Sequence, residues 1–141
     1  MIGSSKFLWR LAVTMSLAAL LAGPVLAVNK DFDGPVGGDW NTGVNWNPDG
    51  VPGPGDNVFV FVYGGATKTI TLAGTPAPDT VNELVLAREG NGTATVNQTG
   101  GTLNVNSWFN LGQGFGAAPN NGTGIWNMSG SSILNVTHSA G

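Results

Sequence analysis

In the second half of the chain, short apolar runs alternate with clusters of Gly, Asn and Thr, and the whole pattern recurs. Leu84-Val85-Leu86-Ala87, Gly92-Thr93, Val96-Asn97-Gln98-Thr99-Gly100-Gly101 and Leu103-Asn104-Val105 return as Phe109-Asn110-Leu111-Gly112, Gly122-Thr123, Trp126-Asn127-Met128-Ser129-Gly130-Ser131 and Leu134-Asn135-Val136. The offset grows from 25 residues at Leu86/Leu111 to 30 at Gly92/Gly122 and 31 at Leu103/Leu134. Most of that growth is one insertion, Phe115-Gly116-Ala117-Ala118-Pro119. A unit this short cannot bury its own apolar side chains, so units must stack. Strands are expected at 82–86, 93–98 and 102–106, then at 108–111, 124–128 and 132–137. Three strands per unit, divided by glycine-rich corners, predict a right-handed parallel β-helix whose coils pair at roughly 4.8 Å. Asn97 then lies over Asn127, and Asn104 over Asn135. Either their amides bond from coil to coil, or they occupy exposed corners because Asn tolerates turn geometry.

The chain before the repeat has a different grammar. Asp33-Gly34-Pro35, Gly37-Gly38, Asn47-Pro48-Asp49-Gly50 and Pro52-Gly53-Pro54-Gly55 are breaker clusters. Val58-Phe59-Val60-Phe61-Val62-Tyr63 reads as a strand buried on both faces or inside a tight cap. Thr67-Lys68-Thr69-Ile70-Thr71-Leu72 ends in the period-two alternation of a half-buried strand, and Gly64-Gly65 between the two suits a corner. The expected class is all-β, with an irregular amino-terminal β cap over 28–80 and β-helix repeats, cut short, over 81–141.

Residues 1–27 carry a different signal. Lys6 and Arg10 precede an almost wholly apolar run from Leu11 to Ala22, broken by Gly23-Pro24 ahead of Val25-Leu26-Ala27. That is the layout of a secretory signal peptide, with cleavage expected after Ala27. A run of about 12 residues is too short to span roughly 30 Å of hydrocarbon, so the mature chain is not expected to cross a membrane.

Beyond Ala27 the chain has three basic side chains (Lys30, Lys68, Arg88) against eight carboxylates, a formal charge of −5. Nucleic acid is excluded as a partner, because its affinity comes largely from Lys and Arg on phosphate. The absence of cysteine removes disulfides and thiolate metal sites. No cofactor motif is present.

Asp39-Trp40-Asn41, Asn45-Trp46, Val51-Pro52 and Gly55-Asp56-Asn57-Val58 resemble the amino-terminal start of secreted bacterial β-helix proteins that carry autotransporter-associated strand repeats. Thr99-Gly100-Gly101-Thr102-Leu103-Asn104-Val105 and Leu111-Gly112-Gln113-Gly114 resemble the repeats themselves, which also occur in exported proteins with a carboxy-terminal sorting signal of the Pro-Glu-Pro type. The resemblance covers most of 39–137 and implies a β-helix and an extracytoplasmic location. It departs at Ser131, where the first unit has Gly101, and the chain carries neither a sorting signal nor a translocating barrel.

Several residues are candidates for chemistry. Asp31, Asp33 and Asp39 frame an Asp-x-Asp-Gly phrase that lacks the third acidic residue and terminal Glu of a calcium loop, and it reads as a solvated acidic turn. Trp40, Trp46, Trp108 and Trp126 form a sugar-stacking platform if exposed, with Trp40 and Trp46 the pair most suited to carbohydrate. The competing role for those two is to plug the open end of the solenoid. His138, the one histidine, has neither a nucleophile nor metal ligands beside it in sequence. Asp49, Asp56, Asp79, Glu83 and Glu89 are scattered, mostly through turns, where glycoside chemistry needs a pair about 5–10 Å apart.

The expectation is therefore an exported structural or adhesin-like surface protein without catalysis of its own. Its partners are polysaccharide or other cell-surface components. The alternative is the front of a β-helical polysaccharide-active enzyme or carbohydrate-binding protein. With Gly141 opposite Asn110, the repeat stops within a unit. More coils are expected beyond it, or edge-to-edge self-association of the shortened form.

Overall fold

The computed structural model describes residues 26–74, 78–112 and 121–138. The proposed signal peptide, except its last two residues, and the Phe115–Pro119 insertion lie outside the described residues.

Among the described residues the regular elements are strands apart from single 3₁₀ turns at Gly43–Asn45 and Tyr63–Gly65, and almost every pairing is parallel. The strands are β1 (Asn29–Phe32), β2 (Gly38–Asp39), β3 (Trp46–Asn47), β4 (Asn57–Val62), β5 (Thr67–Leu72), β6 (Asp79–Val81), β7 (Glu83–Gly90), β8 (Thr93–Gln98), β9 (Thr102–Val105), β10 (Phe109–Leu111), β11 (Thr123–Met128) and β12 (Ile133–Val136). They form three sheets, ordered β10-β7-β4-β1-β3, β11-β8-β5-β2 and β12-β9-β6. Among the described residues only β3 runs antiparallel to its neighbour, β1. The chain is thus a β-solenoid of about four turns, in which the last three coils each contribute one strand to each sheet, while the first supplies β1 and β3 to the five-stranded sheet, β2 to the four-stranded one and none to the third.

The register reproduces the offsets read from the repeat. Leu111 pairs with Leu86, Thr123 with Thr93 and Leu134 with Leu103. The stack also extends further toward the amino terminus than the repeat. β4 and β5 pair in parallel with β7 and β8, and β6 with β9, so 57–81 is itself a full coil.

The pleat explains why. Inward positions stack as Val58 on Leu84, Val60 on Leu86, Ile70 on Val96 and Val81 on Val105, all fully buried. Each such aliphatic side chain contributes about 1.5–3 kcal/mol. Outward positions are mostly Thr and Asn. Asn127 donates to Asn97 Oδ1 and Asn135 to Asn104 Oδ1, both at 2.9 Å. A third ladder runs from Asn82 to Asn57 (2.8 Å) and from Asn57 to Asn29 (3.2 Å). The ladder reading of the repeat asparagines therefore holds, though on the outer surface, and the corner reading does not, because all four lie within strands. An amide pair is worth only about 0.5–1.5 kcal/mol net, so the apolar stack carries the stability and the ladders help hold the register.

Backbone packing is tight at one corner. A Cβ on Gly92 would collide with the carbonyl oxygen of Ala66, which accepts from Thr93 N at 3.0 Å. Two turns of the wall meet here with no room for a side chain.

The amino-terminal end is closed by Phe32, Trp40 and Trp46. Trp46 meets Phe32 edge-on at 5.3 Å and Trp40 at 4.9 Å, and its Nε1 donates to Trp40 O at 2.8 Å. Trp40 Nε1 is buried without a partner. Lys30, at an inward position, sends its ammonium to the carbonyls of Pro48 (2.8 Å) and Asp49 (3.0 Å), fastening the 48–50 turn to the wall. At the other end Phe109, Trp126 and Leu134 pack on the core but are only half-buried. Among the described residues no strand covers β10, β11 or β12 on that side.

Candidate functional site

The run Val58-Phe59-Val60-Phe61-Val62-Tyr63 is buried on both faces only in its first half, where outward Phe59 is covered; its outer face opens at Phe61 and Tyr63. Successive side chains of a strand point to opposite sides, so Val58, Val60 and Val62 enter the core while Phe59, Phe61 and Tyr63 form a row outside the five-stranded sheet. Phe59 and Phe61 are 6.1 Å apart and tilted by 51°. Phe61 and Tyr63 stack at 5.3 Å with planes 7° apart. Tyr63 is 59% exposed.

The neighbouring strand bends to meet this row. Along β7 the pairing with β4 slips twice, so that Val60, Phe61 and Val62 face Leu86, Arg88 and Gly90. The surplus residues, Ala87 (φ 56°) and Glu89 (φ 54°), take left-handed backbone, which costs an L-residue about 1–2 kcal/mol. The bulge directs Arg88 and Glu89 across the aromatic row. The Arg88 guanidinium lies over Phe59 at 4.1 Å from the ring centroid and 5.8 Å from that of Phe61, a cation–π arrangement. Its Nε is 3.7 Å from Glu89 Oε1, and Glu89 Oε2 accepts from the Tyr63 hydroxyl at 3.1 Å.

Asp31 borders the same face, paired in register with Phe59. Burial raises its pKa above 3.8, against the opposing pull of the Arg88 and Lys68 charges. The Tyr63 phenol is raised above 10.0, first by desolvation and then by its hydrogen bond to Glu89. Tyr63 therefore stays a neutral hydroxyl at physiological pH, one of its ring faces turned to Phe61 and the hydroxyl held by a carboxylate. Such a surface can stack a flat apolar face and offer hydrogen bonds at its rim.

The residues singled out in the sequence fall elsewhere. Trp40 and Trp46 are both 0% exposed, so neither ring is open to a sugar. Aromatic surface at the end of the stack is worth more inside, so the pair plugs the core. Trp126 is half-buried, edge-on to Phe109 at 5.5 Å, with Nε1 donating to the buried Gln98 at 3.2 Å. Trp108 is exposed beside His138, ring centroids 4.9 Å apart. The four tryptophans thus do not share one platform.

Asp31 and Asp39 belong to different sheets, and among the described residues no three metal-ligating side chains converge. Asp56 is buried in a turn. Its oxygens accept from Val28 N (3.0 Å) and Gly53 N (2.9 Å), tying β1 to the approach to β4.

The aromatic row was missed because Val and Phe are both apolar, and their alternation looks like a continuous hydrophobic run. The available signal was the strict order of β-branched and aromatic residues. The β7 bulge had no signal, since Ala87 and Glu89 are not residues that announce left-handed backbone.

Comparison with protein-family models, with curated proteins and with solved structures gave no match. Among the described residues no helix is long and apolar enough to cross a membrane.

Proposed function

We propose that this chain is an exported structural or adhesin-like surface protein without intrinsic catalysis, made as a secretory precursor cleaved after Ala27. In this reading it is a right-handed β-helix closed by its amino-terminal cap, like proteins with autotransporter-associated strand repeats. The right-handed sense follows the strong preference of parallel crossover connections. The observation that carries the reading is the distribution of chemistry over the solenoid. The β8 and β9 walls present Thr and Asn outward and, apart from Gln98, hydrocarbon inward, and the coil above them repeats the pattern with Ile125 and Ile133 among its outward residues. The charged side chains of the repeat, Glu83, Arg88 and Glu89, all sit on β7, where Arg88 and Glu89 are engaged with aromatic rings and with each other. Such a wall offers long, uniform surface and hydrogen-bonded stiffness.

The test is export and turnover together. Expressed from Met1 in a bacterial host, the protein is expected outside the cytoplasm with Val28 as its first residue, and the displayed chain should attach to cells or cell-wall material. Incubation with polysaccharides should release neither reducing ends nor unsaturated sugars. Retention of uncleaved chain in the cytoplasm, or sustained product release, would overturn the proposal.

A further inference from the structure

We infer that the surface around Tyr63, outside the five-stranded sheet, is a binding site for a neutral β-linked pyranose chain. The inference deepens the adhesive reading by naming its partner, and rests on that reading for its setting.

Three observations converge on the site. Tyr63 has one ring face turned to Phe61 at 5.3 Å and remains 59% exposed. A pyranose with equatorial substituents presents an apolar face of axial C–H groups, and an exposed aromatic face is the surface that buries it. The ring is also held in place, by its stack on Phe61 and by the hydrogen bond from its hydroxyl to Glu89 Oε2. A pre-positioned ring loses little freedom on binding. At the corner beyond it, Gly64 has nothing within 4 Å of where a Cβ would stand, so a chain passing over Tyr63 meets no obstruction there.

Charge decides between sugar classes. Asp31 and Glu89 border the face; of the two cations whose charges reach Asp31, Arg88 is already spread over Phe59 and close to Glu89, and Lys68 donates to the Phe32 carbonyl. A uronate would bring a third carboxylate to this edge, whereas sugar hydroxyls can donate to Glu89. The site therefore favours a neutral chain over an acidic one. The Thr and Asn face of β5, β8 and β11 has regular hydroxyls but no outward aromatic ring, and is not assigned the same ligand.

The experiment is native affinity electrophoresis of the exported chain in gels containing hydroxyethylcellulose, galactomannan or polygalacturonate, run beside the attachment assay. Retardation is expected with hydroxyethylcellulose and absent with polygalacturonate. Tyr63→Ala should weaken it by about tenfold or more, as truncating an aromatic anchor does, with an unchanged far-UV spectrum and melting point. Tyr63→Phe should keep most of it, and Glu89→Gln should weaken it without loss of fold. Trp108→Ala, which removes an exposed ring elsewhere, should leave it unchanged. The inference is overturned by no retardation in either neutral gel, by stronger retardation in polygalacturonate, or by equal retardation of wild type and both Tyr63→Ala and Glu89→Gln. Attachment that persists while neutral-gel retardation is absent overturns the sugar site and leaves the adhesive reading standing. Loss of both removes the two together.

Discussion

Trp40 and Trp46 occupy the same plug, both fully buried, yet their indole nitrogens are in opposite situations. Trp46 Nε1 donates to Trp40 O at 2.8 Å, whereas Trp40 Nε1 is buried with no acceptor. Replacing either by Phe removes the same atoms, so the loss of packing is similar in the two variants and largely cancels between them. The polar terms do not cancel. Trp46→Phe breaks a buried bond and strands the Trp40 carbonyl, a penalty of about 1–3 kcal/mol. Trp40→Phe removes a donor already carrying a penalty of the same size. The two proteins should therefore differ by roughly 2–6 kcal/mol, with Trp46→Phe the less stable. Against a total stability of about 5–15 kcal/mol for a domain, that gap is easily read from urea midpoints followed by circular dichroism, with the m-value as a check that both variants unfold alike. A Trp40→Phe protein as unstable as Trp46→Phe, or less stable, would refute the reasoning.

Three further outcomes are expected. Gly92→Ala should cost about 3 kcal/mol or more, because its methyl would run into the Ala66 backbone and into the Thr93–Ala66 bond; a soluble variant with a wild-type melting point would show that the corner can open. Lys30→Met keeps the buried stem and loses the ammonium contacts to exposed carbonyls that water can take over, so global stability should move by less than about 1 kcal/mol. The Gly50 amide, bonded to Gly43 O at 2.9 Å, should nonetheless exchange faster, and unchanged exchange would show that Lys30 does not fasten the turn. Burial raises the Asp79 pKa above its ordinary 3.8, with Asp39 adding to the effect. The fold thus favours the protonated acid, and that contribution is complete below the unfolded pKa and lost as pH rises through the folded one. Asp79→Asn should therefore melt higher than wild type at pH 7, with the gain fading as pH falls through the raised folded pKa and gone below 3.8; an equal gain at pH 7 and below 3.8 would contradict the cause assigned.

The stacking was legible because a solenoid repeats its demands. Inward positions must be apolar in every coil, and the 25-, 30- and 31-residue offsets are the pairings of β7 with β10, β8 with β11 and β9 with β12. The coil over 57–81 was harder to recognise because stacking constrains only its inner face. Ile70 matches Val96 and Val81 matches Val105, but the outward residues and corners share no phrase with the later units. The Asn29–Asn57–Asn82 ladder was hidden for a related reason, since its rungs are 28 and 25 residues apart and begin in the cap. The candidate site was least legible. It depends on which way Phe61 and Tyr63 point and on a two-residue slip in β7 that aims Arg88 and Glu89 at them. Neither follows from composition.

Coil length and coil height are independent quantities in this wall. β8 sits 26 residues after β5, and β11 sits 30 residues after β8, yet each step rises by one strand spacing, because hydrogen bonds between neighbouring backbones set the pitch. Residues gained or lost at a corner change the outline of a coil and leave its neighbours in register. Genes for such walls can therefore drift in length without a compensating change elsewhere, and selection can act on loops one at a time. For a protein engineer, a corner is a socket into which a peptide can be spliced while the wall above and below keeps its alignment.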